Sequence, residues 1–174
     1  MRWYWIDRYT EFVSGQKAVS VKAVSLGEEH LHDYFYGYPV MPNSLIVEGI
    51  AQTGGILLAE STDYEAQIVL AKVSKSLFHF PARPGDTLEY TTVIENQGAE
   101  GALISGVSRV GERVQAEIEL YLAILGEKHG GQKLFRPAHY FGLLSLLGVY
   151  DVAVSAEGER LQMPAKLQPA PLAN

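Results

Sequence analysis

Residues 32–55 read HDYFYGYPVMPNSLIVEGIAQTGG. Aromatic side chains and two prolines, Pro39 and Pro42, lead into an apolar run from Leu45 to Ala59 that is broken by Glu48 and Gln52. Pro42 suits the first position of a helix, where its missing N–H costs nothing. Apolar residues then recur on every side of the segment, so the pattern predicts a buried helix and not a one-sided surface helix. Gly49, Gly54 and Gly55 each weaken a helix by about 1 kcal/mol relative to Ala. Their presence predicts that strands pack close against it.

Working outward, WIDRYTEFV and AVSVKAV flank the turn SGQ and predict two neighbouring strands. SLGEEHLHDYF is a polar connection with room for one helical turn. After the helix and the loop STDYEAQ come four runs rich in Val, Ile, Thr and Tyr: QIVLAKVSKSLFHF, TLEYTTVIENQ, ALISGVSRV and VQAEIELYLAIL. Gly85-Asp86 after Pro84 marks a tight turn into the second of these. The expected fold class is α+β, a long curved antiparallel sheet wrapped around a central buried helix. Such a sheet leaves an open edge that a second subunit can cover. The main domain is expected to span residues 1–128. Residues 129–174 form a C-terminal extension: a linker around GEKHGGQK, a short apolar helix in HYFGLLSLLGVYDVAV, and a Pro-rich tail.

Composition narrows the function. The 174 residues carry a formal net charge of −6 and no cysteine. The acidic balance argues against a nucleic-acid footprint or an anionic-membrane partner. Without cysteine there is no disulfide, thiolate nucleophile or Cys-based zinc site. The five histidines show no metal-ligand spacing, and no metal is expected. The apolar run at Leu45–Ala59 is too short and too interrupted to span a bilayer. MRWYWIDRYTEF has no apolar stretch of the signal-peptide kind, so a cytoplasmic location and no membrane insertion are expected.

Two separated segments resemble the hallmarks of the hotdog-fold (3R)-3-hydroxyacyl-ACP dehydratases of fatty-acid synthesis. The family's His-Phe-Pro-Gly-x-Pro-Val-Met-Pro-Gly, followed by Glu and Ala-Gln, corresponds here to Tyr34, Phe35, Tyr36, Gly37, Tyr38, Pro39, Val40, Met41, Pro42 and Asn43, continuing to Glu48 and Ala51-Gln52. The family's Arg-Phe…Pro-Gly-Asp stretch corresponds to Phe78 through Pro84, Gly85 and Asp86. The resemblance covers roughly residues 5–126 and leaves the extension outside the usual family core.

The resemblance implies elimination of water from a 3-hydroxyacyl chain on the phosphopantetheine of acyl carrier protein, with no other cofactor. It implies Glu48 as the acid that helps the hydroxyl leave. Helix-start N–H groups polarise the thioester carbonyl, and a hallmark His of the other subunit acts as base. Pro42, Asn43, Ser44, Gln52 and Phe35 fall at substrate-binding positions, with Gln52 placed one turn from Glu48 to hydrogen-bond it or to glue helix to sheet. Three positions depart: Tyr34 replaces the His, Tyr36 a Pro and Asn43 a Gly. A phenol with pKa about 10 is a poor base where an imidazole of about 6.5 is a good one, so His32, just upstream, is a candidate substitute. The expected partners are acyl carrier protein and a second copy, as a homodimer or a trimer of dimers. Three readings stay open: a dehydratase; an acyl-binding homologue or a subunit that pairs with a His-bearing relative; and a hotdog thioesterase using Glu48 to activate water.

Overall fold

Two strands open the chain as a hairpin, β1 (Arg8–Val13) and β2 (Lys17–Ala23). One helical turn, α1 (His30–Asp33), then leads to the long helix α2 (Asn43–Ser61). Four strands follow: β3 (Gln67–Phe78), β4 (Thr87–Gly98), β5 (Gly101–Val110) and β6 (Arg113–Leu125). The C-terminal part supplies α3 (Pro137–Leu146), α4 (Val149–Val152), a two-residue strand β7 (Ala153–Val154) and a 3-10 turn at Ala165–Leu167. The structure is a computed structural model that describes residues 3–33, 36–125 and 137–168. The expected linker at 126–133 and the end of the Pro-rich tail, 169–174, lie outside the described residues. No described helix is long and apolar enough to cross a membrane.

The strands form one sheet in the order β3-β6-β5-β4-β2-β1-β7. Alternation sets its inner face: Leu88, Tyr90 and Thr92 on β4, Ala102 and Ile104 on β5, and Ala116, Ile118, Leu120 and Leu122 on β6 are all buried. Ile46, Ile50, Leu57 and Leu58 of α2 join them in one core. This is the hotdog arrangement, a sheet curled around a helix.

Two expectations change in detail. The sheet is mixed and not wholly antiparallel, because β7 pairs in parallel with β1 through Phe12–Ala153 and Val13–Val154. The tail's apolar residues produce this: Leu144, Leu147, Val149, Ala153 and Leu167 are buried in the same core as the helix. Pro42 is the residue before α2 and not its first residue; its carbonyl accepts from the Leu45 and Ile46 amides at 2.9 and 3.4 Å.

The glycines of α2 divide by role. A Cβ on Gly49 would lie 2.5 Å from Cε2 of Tyr90 and 2.9 Å from the Trp5 carbonyl oxygen. One on Gly54 would press on Ile104 at 3.0 Å. Both belong to strand-facing packing, as the sequence predicts. Gly55 would meet nothing within 4 Å. Gly49→Ala is therefore expected to destabilise the protein by roughly 3 kcal/mol through overpacking. Gly55→Ala should stabilise it by about 1 kcal/mol through helix propensity. Urea-denaturation midpoints test the pair, and equal shifts of the same sign would contradict this account of the packing.

Candidate active site

Glu48 and Gln52 are one helical turn apart, the spacing at which side chains on a helix surface meet. Gln52 Nε2 donates to Glu48 Oε1 at 3.0 Å and to the Trp3 carbonyl at 2.9 Å. Its Oε1 accepts from the Trp5 backbone N–H at 2.9 Å. The amide thus uses both donors and its acceptor, tying the acid to the N-terminal segment. Of the two roles open to Gln52 in the sequence, it makes the hydrogen bond to Glu48, and its other bonds go to the N-terminal segment before β1 and not to the sheet. Trp3, Tyr4 and Trp5 were missed as site residues, and an aromatic run at a chain start was their only signal.

Beside Glu48 lies a cavity of about 420 Å³. One face of α2 lines it through Glu48, Ala51, Gln52, Gly55, Ile56 and Ala59. The remaining walls come from Trp3, Tyr4 and Ile6, from Ile68–Leu70 of β3, from Leu122, and from Tyr140, Leu143 and Leu147. Trp3 and Tyr4 are exposed, so the end carrying Glu48 and Gln52 reaches the surface. Glu48 is half-buried and not sealed inside the protein. It is the sole carboxylate among the lining residues, and the open space at Gly55 belongs to this cavity.

The start of α2 is arranged differently. Pro42 is half-buried, while Asn43 and Ser44 are exposed and do not line the cavity. No side chain caps the helix start and no acidic residue occupies its first turn. The two hallmark segments meet just before it. Met41 N donates to the Ala82 carbonyl at 2.9 Å, and Arg83 lies over the Tyr38 ring while donating to its hydroxyl at 2.9 Å. The Asp86 carboxylate accepts from Arg83 N at 2.8 Å and closes the turn. Tyr34 and Phe35 lie outside the described residues. Among the described residues no group of three or more His, Cys, Asp or Glu is placed to hold a metal ion.

His32 is exposed on α1. His30 packs its ring edge-on against Trp5, with centroids 5.0 Å apart. Burial lowers its pKa, opposed by the charge of Glu28 and assisted by that of Lys22. Glu28 accepts from the buried Lys22 ammonium at 2.7 Å and from Ser25 N at 2.9 Å. Burial pushes the Glu28 carboxyl up, but those two hydrogen bonds and the nearby positive charges outweigh it, and its pKa is lowered.

Both shifts make the unfolded chain the better proton binder, so stability falls on acidification. The His30 contribution is whole above its ordinary 6.5 and declines as pH drops below that value. The Glu28 contribution is whole above its ordinary 4.5 and is lost as pH falls through the lower folded value. His30→Phe should remove the first part of the acid-side fall in Tm, and Glu28→Gln the second. Thermal melts across the acid range test this; parallel curves for wild type and both variants would refute it.

A family model described as a FabA-like domain matches residues 3–119. The chain is 33% identical over 117 residues to the 3-hydroxyacyl-[acyl-carrier-protein] dehydratase FabZ of Caulobacter sp. (strain K31), covering 66% of this chain and 72% of that protein. It is 37% identical over 109 residues to the FabZ of Petrotoga mobilis, covering 63% and 78%. Among solved structures it resembles smu.793 from Streptococcus mutans, crystallised bound to acetyl CoA, with a TM-score of 0.58, 16% identity, and coverage of 72% and 94%. That last likeness is one of fold. The family match ends at residue 119, before α3, α4 and β7.

Proposed function

The chain belongs to the FabA-like domain family, and we propose that it is a hydro-lyase that removes water from a 3-hydroxyacyl thioester on acyl carrier protein. The observation that carries this reading is Glu48, held by Gln52 where an apolar cavity reaches the surface. A carboxyl group beside a slot suited to a hydrocarbon tail supports this reading. The FabZ names of the relatives support the same reaction.

In the proposed step a base takes the proton from C2 of the thioester. The released electron pair forms the C2–C3 double bond, the C3–O bond breaks, and the Glu48 carboxyl gives its proton to the departing hydroxyl. Water and a trans-2-enoyl thioester result. Negative charge gathers on the thioester carbonyl oxygen, and the N–H groups of Asn43 and Ser44 at the start of α2 are the donors assigned to it. Gln52 orients the acid. The reaction needs no further cofactor and occurs in the cytoplasm, with the carrier protein as partner.

The base comes from a second subunit. β3 lies at the edge of the sheet with Leu70, Val73 and Leu77 exposed along it, a surface suited to pairing with another copy. In a homodimer the base is Tyr34 of the other copy. An ordinary phenol is roughly 0.1% ionised at neutral pH, so this enzyme is slow there. Tyr34 also favours a second reading, in which the chain pairs with a His-bearing relative and supplies Glu48 to a shared site.

The test incubates the purified protein with a 3-hydroxyacyl carrier and follows enoyl product. Glu48→Gln should lower kcat at least about a hundredfold, and Tyr34→His should raise the neutral-pH rate by a similar factor. His32→Ala should leave the rate unchanged if Tyr34 is the base; its loss would make His32 the base. Activity that emerges only on mixing with a His-bearing relative establishes the second reading. Thiol release without enoyl product would replace the hydro-lyase with a thioesterase.

A further inference from the structure

The match to the FabA-like domain stops at residue 119, yet the cavity beside Glu48 is lined in part by Tyr140, Leu143 and Leu147, which come after it. We propose that α3 and the turn that follows it are an end wall, built by the C-terminal extension, that limits the length of acyl chain the site accepts. The inference rests on the acyl-thioester reading above and adds a specificity determinant to it.

The slot has a direction. Its α2 positions, from Glu48 through Gln52, Gly55 and Ile56 to Ala59, step by three and four along one helix face. Eleven residues of helix make about 16 Å between the acid and the far end. Glu48 marks the surface end. At the other end α2 finishes in a turn in which Asp63 and Tyr64 both adopt left-handed backbone, at φ 53 and 58°. Tyr64 packs its ring on Tyr140, with centroids 5.1 Å apart, and its hydroxyl lies 3.0 Å from that of Tyr150. Tyr140 therefore stands where a chain entering past Glu48 would end. Midway, the space at Gly55 keeps the lumen open.

A wall must be fixed to act as a stop, and α3 is fixed from several sides. Leu144 and Leu147 are buried in the main core. The Leu147 carbonyl accepts from Tyr9 N on β1 at 2.9 Å. β7 extends the sheet beside β1, and Lys166 pairs with Asp63 and Glu65 in the loop after α2. Leu143 is only half-buried and faces the cavity one turn beyond Tyr140. It packs against the edge of the core without being among its fully buried residues.

Binding of a graded series of S-alkyl pantetheine thioethers, which can be neither dehydrated nor hydrolysed, tests the wall by calorimetry on the full chain. With wild type, affinity should rise about fourfold for each methylene buried and then stop rising. Leu143→Ala should move that limit to longer chains and Leu143→Trp to shorter ones. Gly55→Val, which narrows the lumen independently of α3, should shorten the limit as well. A limit common to wild type and both Leu143 variants overturns the proposal, as does failure of every chain length to bind the wild type. Dehydration assays with the same variants separate the two readings. Enoyl formation whose chain-length preference does not move sinks the wall alone. A shifting binding limit with no enoyl formed, even after mixing with a His-bearing relative, sinks the hydro-lyase reading and leaves the wall.

Discussion

The close seating of α2 against the sheet is the constraint on which the molecule depends. Gly49 leaves no room for a Cβ beneath Tyr90 and the Trp5 carbonyl. Gly106 on β5 similarly makes way for Ile50 of the helix, where a Cβ would fall 2.4 Å from Cγ2. Helix and strands approach through missing side chains, so an otherwise apolar cylinder sinks into the curve of the sheet. Buried apolar area supplies the driving force, and the glycines determine how deeply the helix sits.

That seating leaves a second face of α2 less fully covered. The N-terminal aromatics, the start of β3 and α3 cover it incompletely, and the cavity beside Glu48 is the remainder. Its polarity is concentrated at one end, where Gln52 links the acid to the Trp3 and Trp5 backbone. One residue on, Thr53 faces a closed network: its hydroxyl lies 2.6 Å from that of Ser20 and donates to the Gly49 carbonyl at 2.8 Å. Tyr9 adds a bond to the Thr53 carbonyl at 3.1 Å, and burial raises its pKa well above the usual phenol range. Neighbouring positions on one helix thus have opposite fates, one satisfied and shut, the other reaching open space.

The two edges of the sheet are managed unequally. Beyond β1 the edge is finished by a strand of two residues, and Val154 forms a further bridge to Arg160. That short, capped edge offers little to pair with. β3 runs for twelve residues with most of its length exposed. The C-terminal extension blunts the first edge and walls the cavity, while the second stays exposed.

Much of this was legible in the residues. The order of strands and helix followed from alternation, turn chemistry and an all-round apolar helix. Gly49 and Gly54 announced close packing, and the spacing of Glu48 and Gln52 allowed their hydrogen bond, because these are local properties of a helix or strand. Tertiary structure alone decided that Gly55 opens a cavity while its neighbours close on strands, that His30 packs on Trp5 while His32 is exposed, and that Trp3 and Trp5 hold Gln52. It alone turned an apolar tail into a wall and a seventh strand. Periodicity tells a residue which face of its own element it occupies. What stands opposite that face depends on segments brought together across the whole chain, and one element's pattern carries no record of them.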